Sequence, residues 1–122
     1  MSNNILIVED DQSLATIFEA SLKREGYNVI VTNTCADGIS ALNINEIDLV
    51  VLDMNLPDAP GTEVLDFIES EPALMSVVTV VLTGFTRFVN QASRPSVLQT
   101  LNKPVTGTML VRAVKTALAG SL

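Results

Sequence analysis

The residues of this sequence best able to do chemistry are oxygen donors and one lysine. Glu9, Asp10 and Asp11 follow the apolar run Ile5–Val8, and Asp53 follows Leu49–Leu52. Thr83 and Gly84 follow Val77–Leu82, and Lys103 with Pro104 follows Val97–Leu101. Carboxylates brought close together repel unless a cation joins them, and oxygen-only donors select a hard ion, Mg²⁺ being the usual one beside phosphate. A lysine and a small hydroxyl suit the oxygens of a phosphoryl group. An Asp beside a metal can itself be the nucleophile that takes up that group. The chain has no histidine and a single cysteine, Cys35, which excludes zinc centres and histidine-dependent triads. Each residue alone has an ordinary reading: Asp as a turn former or cap, Thr83 as a strand residue, Lys103 as a solvated charge. Their joint placement at the ends of separate apolar runs is what points to a site.

The elements that must carry them can be read from periodicity. Ile5–Val8, Val29–Val31, Leu49–Leu52, Val77–Leu82 and Val97–Leu101 are short and mostly continuous, which is how strands buried on both faces read. Between them lie helical spacings. Leu14, Ile17, Phe18, Ser21 and Leu22 share one face, with Asp11 as the expected N-cap and Gly26 as the stop. Ala36, Ile39 and Leu42 give a second helix, and Val64, Leu65, Phe67 and Ile68 a third that closes before Pro72. Phe88, Val89 and Ala92 give a weaker fourth, expected to be short or mobile and stopped by Pro95. Leu110, Ala113, Val114, Ala117 and Leu118 make a fifth. Five alternations of strand and helix imply a parallel α/β sheet with helices on both faces, whose ligands bind at the carboxyl ends of the strands. Glu9, Asp10, Asp11, Asp53, Thr83, Gly84 and Lys103 all fall on that rim.

Composition bounds the rest. A chain of 122 residues, 48 % hydrophobic and 17 % charged, has the size and apolar content of one domain, expected to span 1–122. Its lone cysteine cannot form an internal disulfide, in keeping with a reducing compartment. No apolar stretch approaches the roughly 18 residues needed to span a bilayer, and the N-terminus lacks a basic leader pattern, so a cytoplasmic protein is expected. A net charge of −7 argues against direct contact with nucleic acid or an anionic membrane.

The stretches Ile5-Leu6-Ile7-Val8-Glu9-Asp10-Asp11, Asp48 to Asp58 with Gly61 beyond, Val81-Leu82-Thr83-Gly84 and Asn102-Lys103-Pro104 together resemble a response-regulator receiver domain of two-component signalling. The resemblance covers every strand end of the family's site. It implies a flavodoxin-like (βα)5 doubly wound five-stranded sheet of order 2-1-3-4-5. It also implies that Asp53 accepts a phosphoryl group from the phosphohistidine of a histidine kinase or phosphotransfer protein. Asp10, Asp53 and the backbone carbonyl of Asn55 would ligate Mg²⁺, with Glu9 acting mainly through water. Lys103 would neutralise a phosphoryl oxygen, Thr83 would shift to meet the phosphoryl group, and backbone amides of Asn55 and Gly84 would donate to it. A downstream protein of unstated identity would read the change. Such a chain acts on itself alone, through its own phosphoryl transfer and slow autodephosphorylation, and is not an enzyme in the ordinary sense. The Lys103–Pro104 bond is expected to be cis, and Gly61 to allow the turn into the third helix.

The sequence departs from the family pattern where an aromatic residue usually precedes the lysine by three positions; here that residue is Thr100. The usual ring movement that couples site to output cannot then operate in its usual form. Phe85, two residues past Thr83, is a candidate to overhang the site and restrict water. The alternative to phosphorylation is a pseudo-receiver, a protein-binding module of the same fold. A haloacid-dehalogenase-like phosphatase would need an acid where Asn55 stands, and a flavodoxin would need a hydroxyl-rich phosphate loop where Glu9-Asp10-Asp11 stands.

Overall fold

The computed structural model describes residues 3–84 and 94–120. Strand β1 (Asn4–Val8) leads into helix α1 (Gln12–Arg24), β2 (Asn28–Thr32) into α2 (Cys35–Ile44), and β3 (Leu49–Asp53) into α3 (Thr62–Ser70). A short 3-10 turn (Pro72–Leu74) precedes β4 (Val78–Thr83). Strand β5 (Val97–Asn102) and helix α4 (Gly107–Gly120) complete the described chain. All strand pairs are parallel and the order is β2-β1-β3-β4-β5. The flavodoxin-like doubly wound architecture expected from the sequence is the one observed. The expected fourth helix around Phe88, and Phe85 with its suggested place over the site, lie outside the described residues. The helix expected as the fifth is α4.

The continuous apolar runs form the three inner strands, β1, β3 and β4, buried on both faces because helices cover both. Successive side chains alternate between two cores. Leu6, Val8, Val50, Leu52 and Val81 pack with Leu42 of α2 and Val64, Leu65 and Ile68 of α3. Ile5, Ile7, Leu49, Val51, Val80 and Leu82 pack with Phe18 and Leu22 of α1 and Leu110, Val114 and Ala117 of α4. The edge strand β5 alternates between half-buried and exposed instead. Its register shifts between Thr79, which pairs with Val97, and Val80, which pairs with Gln99, so Leu98 is an extra, bulged residue. The bulge moves β5 from one core to the other: Val97 meets the α2–α3 side and Leu101 the α1–α4 side.

Local signals set the helix ends. Asp11 caps α1 by accepting from Leu14 N at 3.1 Å, as expected. Gly26, at φ +94°, ends it. The Gly26 N–H donates to Lys23 O and the Tyr27 N–H to Leu22 O, the paired bonds of a Schellman motif. Helix α2 is capped by Thr34, which accepts from Asp37 N at 3.1 Å.

One buried group in this framework is unpaired. Thr79 is fully buried in β4, and its Oγ1 has no hydrogen-bond partner among the described residues. An unsatisfied buried hydroxyl costs folding free energy. Thr79→Val should therefore raise stability by about 1 kcal/mol, read as a higher denaturant midpoint at unchanged slope; a lower midpoint would show that the hydroxyl is satisfied in solution.

Candidate functional site

Four strand ends deliver the site. The backbone leaves β1 at Glu9, whose N–H donates to Thr32 O and whose carbonyl accepts from Asn33 Nδ2 at 2.9 Å. These bonds continue the sheet one residue beyond β1 and carry the Glu9 side chain inward, where it is fully buried. Asp10 beside it is exposed. Asp53 closes β3 and is 2 % exposed; Thr83 closes β4 and is 1 % exposed. Lys103 follows β5, its N–H donating to Thr83 O at 2.8 Å, so its placement is tied to β4. The Lys103–Pro104 peptide bond is cis.

Carboxylate oxygens of Glu9, Asp10 and Asp53 all lie within 4.8 Å of one another. Lys103 Nζ stands 3.2 Å from Asp53 Oδ2 and 3.6 Å from Glu9 Oε1. Asp53 Oδ1 accepts from Asn55 N at 3.1 Å, which fixes the other side of the carboxylate. Glu9 Oε2 accepts from Asp11 N at 3.2 Å, whereas Glu9 Oε1 is buried with no hydrogen bond. Asn55 and Gly84 are exposed at the mouth. Asp11 is absent from the carboxylate group because its side chain caps α1.

The electrostatics follow from this crowding. Burial pushes the Glu9 carboxyl up to about 7, and the negative charge of Asp53 pushes the same way. Burial pushes the Lys103 ammonium down, but the charges of Asp53 and Glu9 outweigh it and hold its pKa above the usual lysine value. Lys103 is thus a fixed cation shared between two buried acids. A single positive charge does not satisfy three carboxylates, and the unbonded Glu9 Oε1 marks what is left over. Oxygen donors with this excess of negative charge fit a small hard divalent cation.

Two groups that support the site carry no chemistry of their own and had no assigned role in the sequence. Asp58, in the loop after β3, accepts from Cys35 N at 2.9 Å and Ala36 N at 3.1 Å, pinning that loop to the start of α2. The bond from the Cys35 N–H, joined by that from Ala36, holds the exposed Asp58 carboxyl below the usual range. Burial, aided by the charges of Asp58 and Glu63, raises the Cys35 thiol to about 11. Asn33 is the second, through its bond to Glu9 O. A loop Asp after Pro57 is a readable turn signal, and Thr34-Cys35-Ala36-Asp37 a readable cap; nothing in the sequence pairs Asp58 with α2. Gly61 needs a correction. Its backbone is ordinary right-handed (φ −58°), so turn freedom is not its reason. A Cβ there would lie 2.8 Å from Asp53 O and Met54 Cα, so glycine is needed for clearance behind Asp53.

Residues 5–115 match the response regulator receiver domain family, and the chain belongs to it: it is a receiver domain of two-component signalling. The chain is similar to the cell cycle transcriptional regulator CtrA of Caulobacter vibrioides, 43 % identical over 61 residues, half of this chain and 26 % of that protein. The transcriptional regulatory protein GlrR of Escherichia coli (strain K12) is 29 % identical over 118 residues, 97 % of this chain and 27 % of the relative. This chain therefore spans about a quarter of these curated relatives. Among solved structures, a CheY-like response regulator receiver domain protein from Methanospirillum hungatei JF-1 superposes with a TM-score of 0.88 at 25 % identity, covering 99 % of this chain and 97 % of that one.

The pKa of Glu9 makes a pH prediction for the cation-free protein. Folded, Glu9 keeps its proton up to about pH 7, whereas the unfolded chain releases it near 4.5. The folded state therefore binds more protons across this window, and stability falls as pH rises through it, by on the order of 3 kcal/mol from this group. Denaturant unfolding in EDTA between pH 5 and 8 should show that decline in the wild type and lose most of it in Glu9→Gln. Parallel curves for the two proteins would show that Glu9 ionises normally.

Proposed function

We propose that this chain is a phospho-acceptor, with Asp53 taking a phosphoryl group from the phosphohistidine of a histidine kinase or phosphotransfer protein. The observation that carries this reading is the buried Asp53 carboxylate, held on one oxygen by Asn55 N and facing Lys103 Nζ at 3.2 Å with the other. A carboxylate so held has its orientation set before a donor arrives. In the transfer, an Asp53 oxygen bonds to phosphorus as the phosphorus–nitrogen bond to the donor imidazole breaks, and the imidazole departs with the bonding electron pair. Lys103 offsets charge on a phosphoryl oxygen. The Thr83 hydroxyl and the backbone N–H groups of Asn55 and Gly84 supply further donors at the mouth.

Glu9, Asp10, Asp53 and the Asn55 carbonyl are the groups that would hold Mg²⁺, which when bound supplies positive charge against the phosphoryl oxygens. The complete set of Glu9, Asp10, Asp53, Thr83 and Lys103 weighs against a receiver-shaped module that is never phosphorylated. The chain's catalysis is confined to its own phosphorylation and slow dephosphorylation. Its output is a changed contact with a downstream protein in the cytoplasm. No helix of the described residues is long and apolar enough to cross a membrane, and the net charge of −7 favours a protein partner over direct nucleic-acid contact.

Intact-mass spectrometry after incubation with acetyl phosphate and Mg²⁺ should show one added phosphoryl group, absent from Asp53→Asn and absent in EDTA. An adduct that persists in Asp53→Asn would place the acceptor elsewhere; failure of both phosphorylation and beryllofluoride binding would overturn the reading. Millimolar Mg²⁺ should also raise the melting temperature. At a hundredfold excess over Kd the gain is about 2.7 kcal/mol, and it should shrink in Asp10→Asn.

A further inference from the structure

The seven cationic residues of this acidic chain are not spread evenly. Lys103 belongs to the acid site. Arg94 is held by Asp66 and Glu69 at 2.6 Å. Arg87 lies outside the described residues. The remaining four, Lys23, Arg24, Arg112 and Lys115, all stand on the last turn of α1 or along α4, which pack against each other. With Glu19 and Glu25, the acids that pair with Lys23 and Lys115, this region carries a net charge of +2. The rest of the chain then carries −9.

Between the two helices lies an open cleft of about 420 Å³, lined among others by Ser21, Arg24, Thr108, Arg112, Lys115 and Thr116. Glu25 takes up Lys115 at 2.6 Å, but neither Arg24 nor Arg112 has an ion pair among the described residues. The helix dipole accounts for Lys23 and Arg24 in the last turn of α1. It does not account for Arg112 and Lys115, which sit mid-helix in α4, whose last turn carries no basic residue. Two unpaired guanidinium forks bordered by hydroxyls, on a chain with carboxylates to spare, form a receptor for planar anions.

We propose that this cleft is a docking surface for a carboxylate-rich helical segment of a partner protein. A groove between two packed helices has the shape that receives a third. None of its lining residues is aromatic, so it offers a nucleobase no stacking platform. Carboxylates along such a helix would engage Arg24 and Arg112 while its apolar positions rest on Val111. The cleft is separate from the phosphoryl site: α1 begins at Asp11 on the site rim and reaches Arg24 about 20 Å further along its axis. None of Glu9, Asp10, Asp53 and Lys103 lines the cleft, so this docking does not depend on Asp53 chemistry.

The test is a titration of ¹⁵N-labelled protein with a synthetic glutamate-rich helical peptide, and with the same peptide carrying Gln at every Glu. On a chain of net charge −7, an acidic peptide binds only where the local field is reversed. Amide shifts should cluster at Ser21, Arg24, Thr108, Arg112 and Thr116, be absent with the Gln peptide, and weaken with salt. The charge-reversed pair Arg24→Glu/Arg112→Glu and the neutral pair Arg24→Gln/Arg112→Gln, both at exposed positions, should keep the wild-type melting temperature and bind at least about tenfold more weakly. Absence of shifts, or shifts elsewhere, overturns the proposal. So does displacement of the peptide by equimolar inorganic phosphate, which would make this a phosphate site. Shifts that appear on raising protein concentration without peptide would make the occupant a second copy of the chain, and would also overturn it.

Discussion

Three carboxylates within 4.8 Å, two of them buried, oppose the folding of the chain that carries them, and much of this structure is arranged around that opposition. One ammonium, Lys103, lies close enough to offset part of it, and it is fixed there through its backbone bond to Thr83 O. The remaining repulsion is borne by the largely apolar inner strands, at whose ends Glu9 and Asp53 are buried. Burial and mutual repulsion are thus two aspects of one placement, and both raise the affinity of Glu9 for a proton. A site left short of positive charge by its own protein is receptive to charge from outside.

The backbone around Asp53 is held on several sides. Asn55 N holds one carboxylate oxygen, Gly61 lets the incoming helix press against Asp53 O, and Asp58 ties the intervening loop to α2. Together they fix the backbone beneath the Asp53 carboxylate and hold one of its oxygens, so its orientation is set by the fold.

Much of the fold was legible because its signals are local or periodic. Ile5–Val8, Leu49–Leu52 and Val77–Leu82 read as doubly buried strands, and Asp11 and Gly26 marked the two ends of α1. The rim residues were legible because parallel topology turns four positions far apart in sequence into neighbours. What escaped was long-range. The bond from Asp58 to α2 joins residues more than twenty apart, and neither end carries a pattern naming the other. Gly61 was read for conformational freedom, the usual reason for a loop glycine, whereas clearance against Asp53 is visible only once β3 and α3 are packed. Thr100 was read as a missing aromatic. It pairs with Val81, two residues before Thr83, and is exposed on the edge strand.

The bulge at Leu98 bears on how the chain coexists with its own copies. An outermost strand with a flat face and an unpaired row of N–H and C=O groups is a template for fibrous self-association. β5 is such a strand by position, but its one-residue slip kinks the row of donors and acceptors and rotates its two halves toward different cores. A straight segment from another molecule can match only part of it. The irregularity weakens one ladder inside the fold and, by the same geometry, makes this edge of the sheet a poor seed for aggregation.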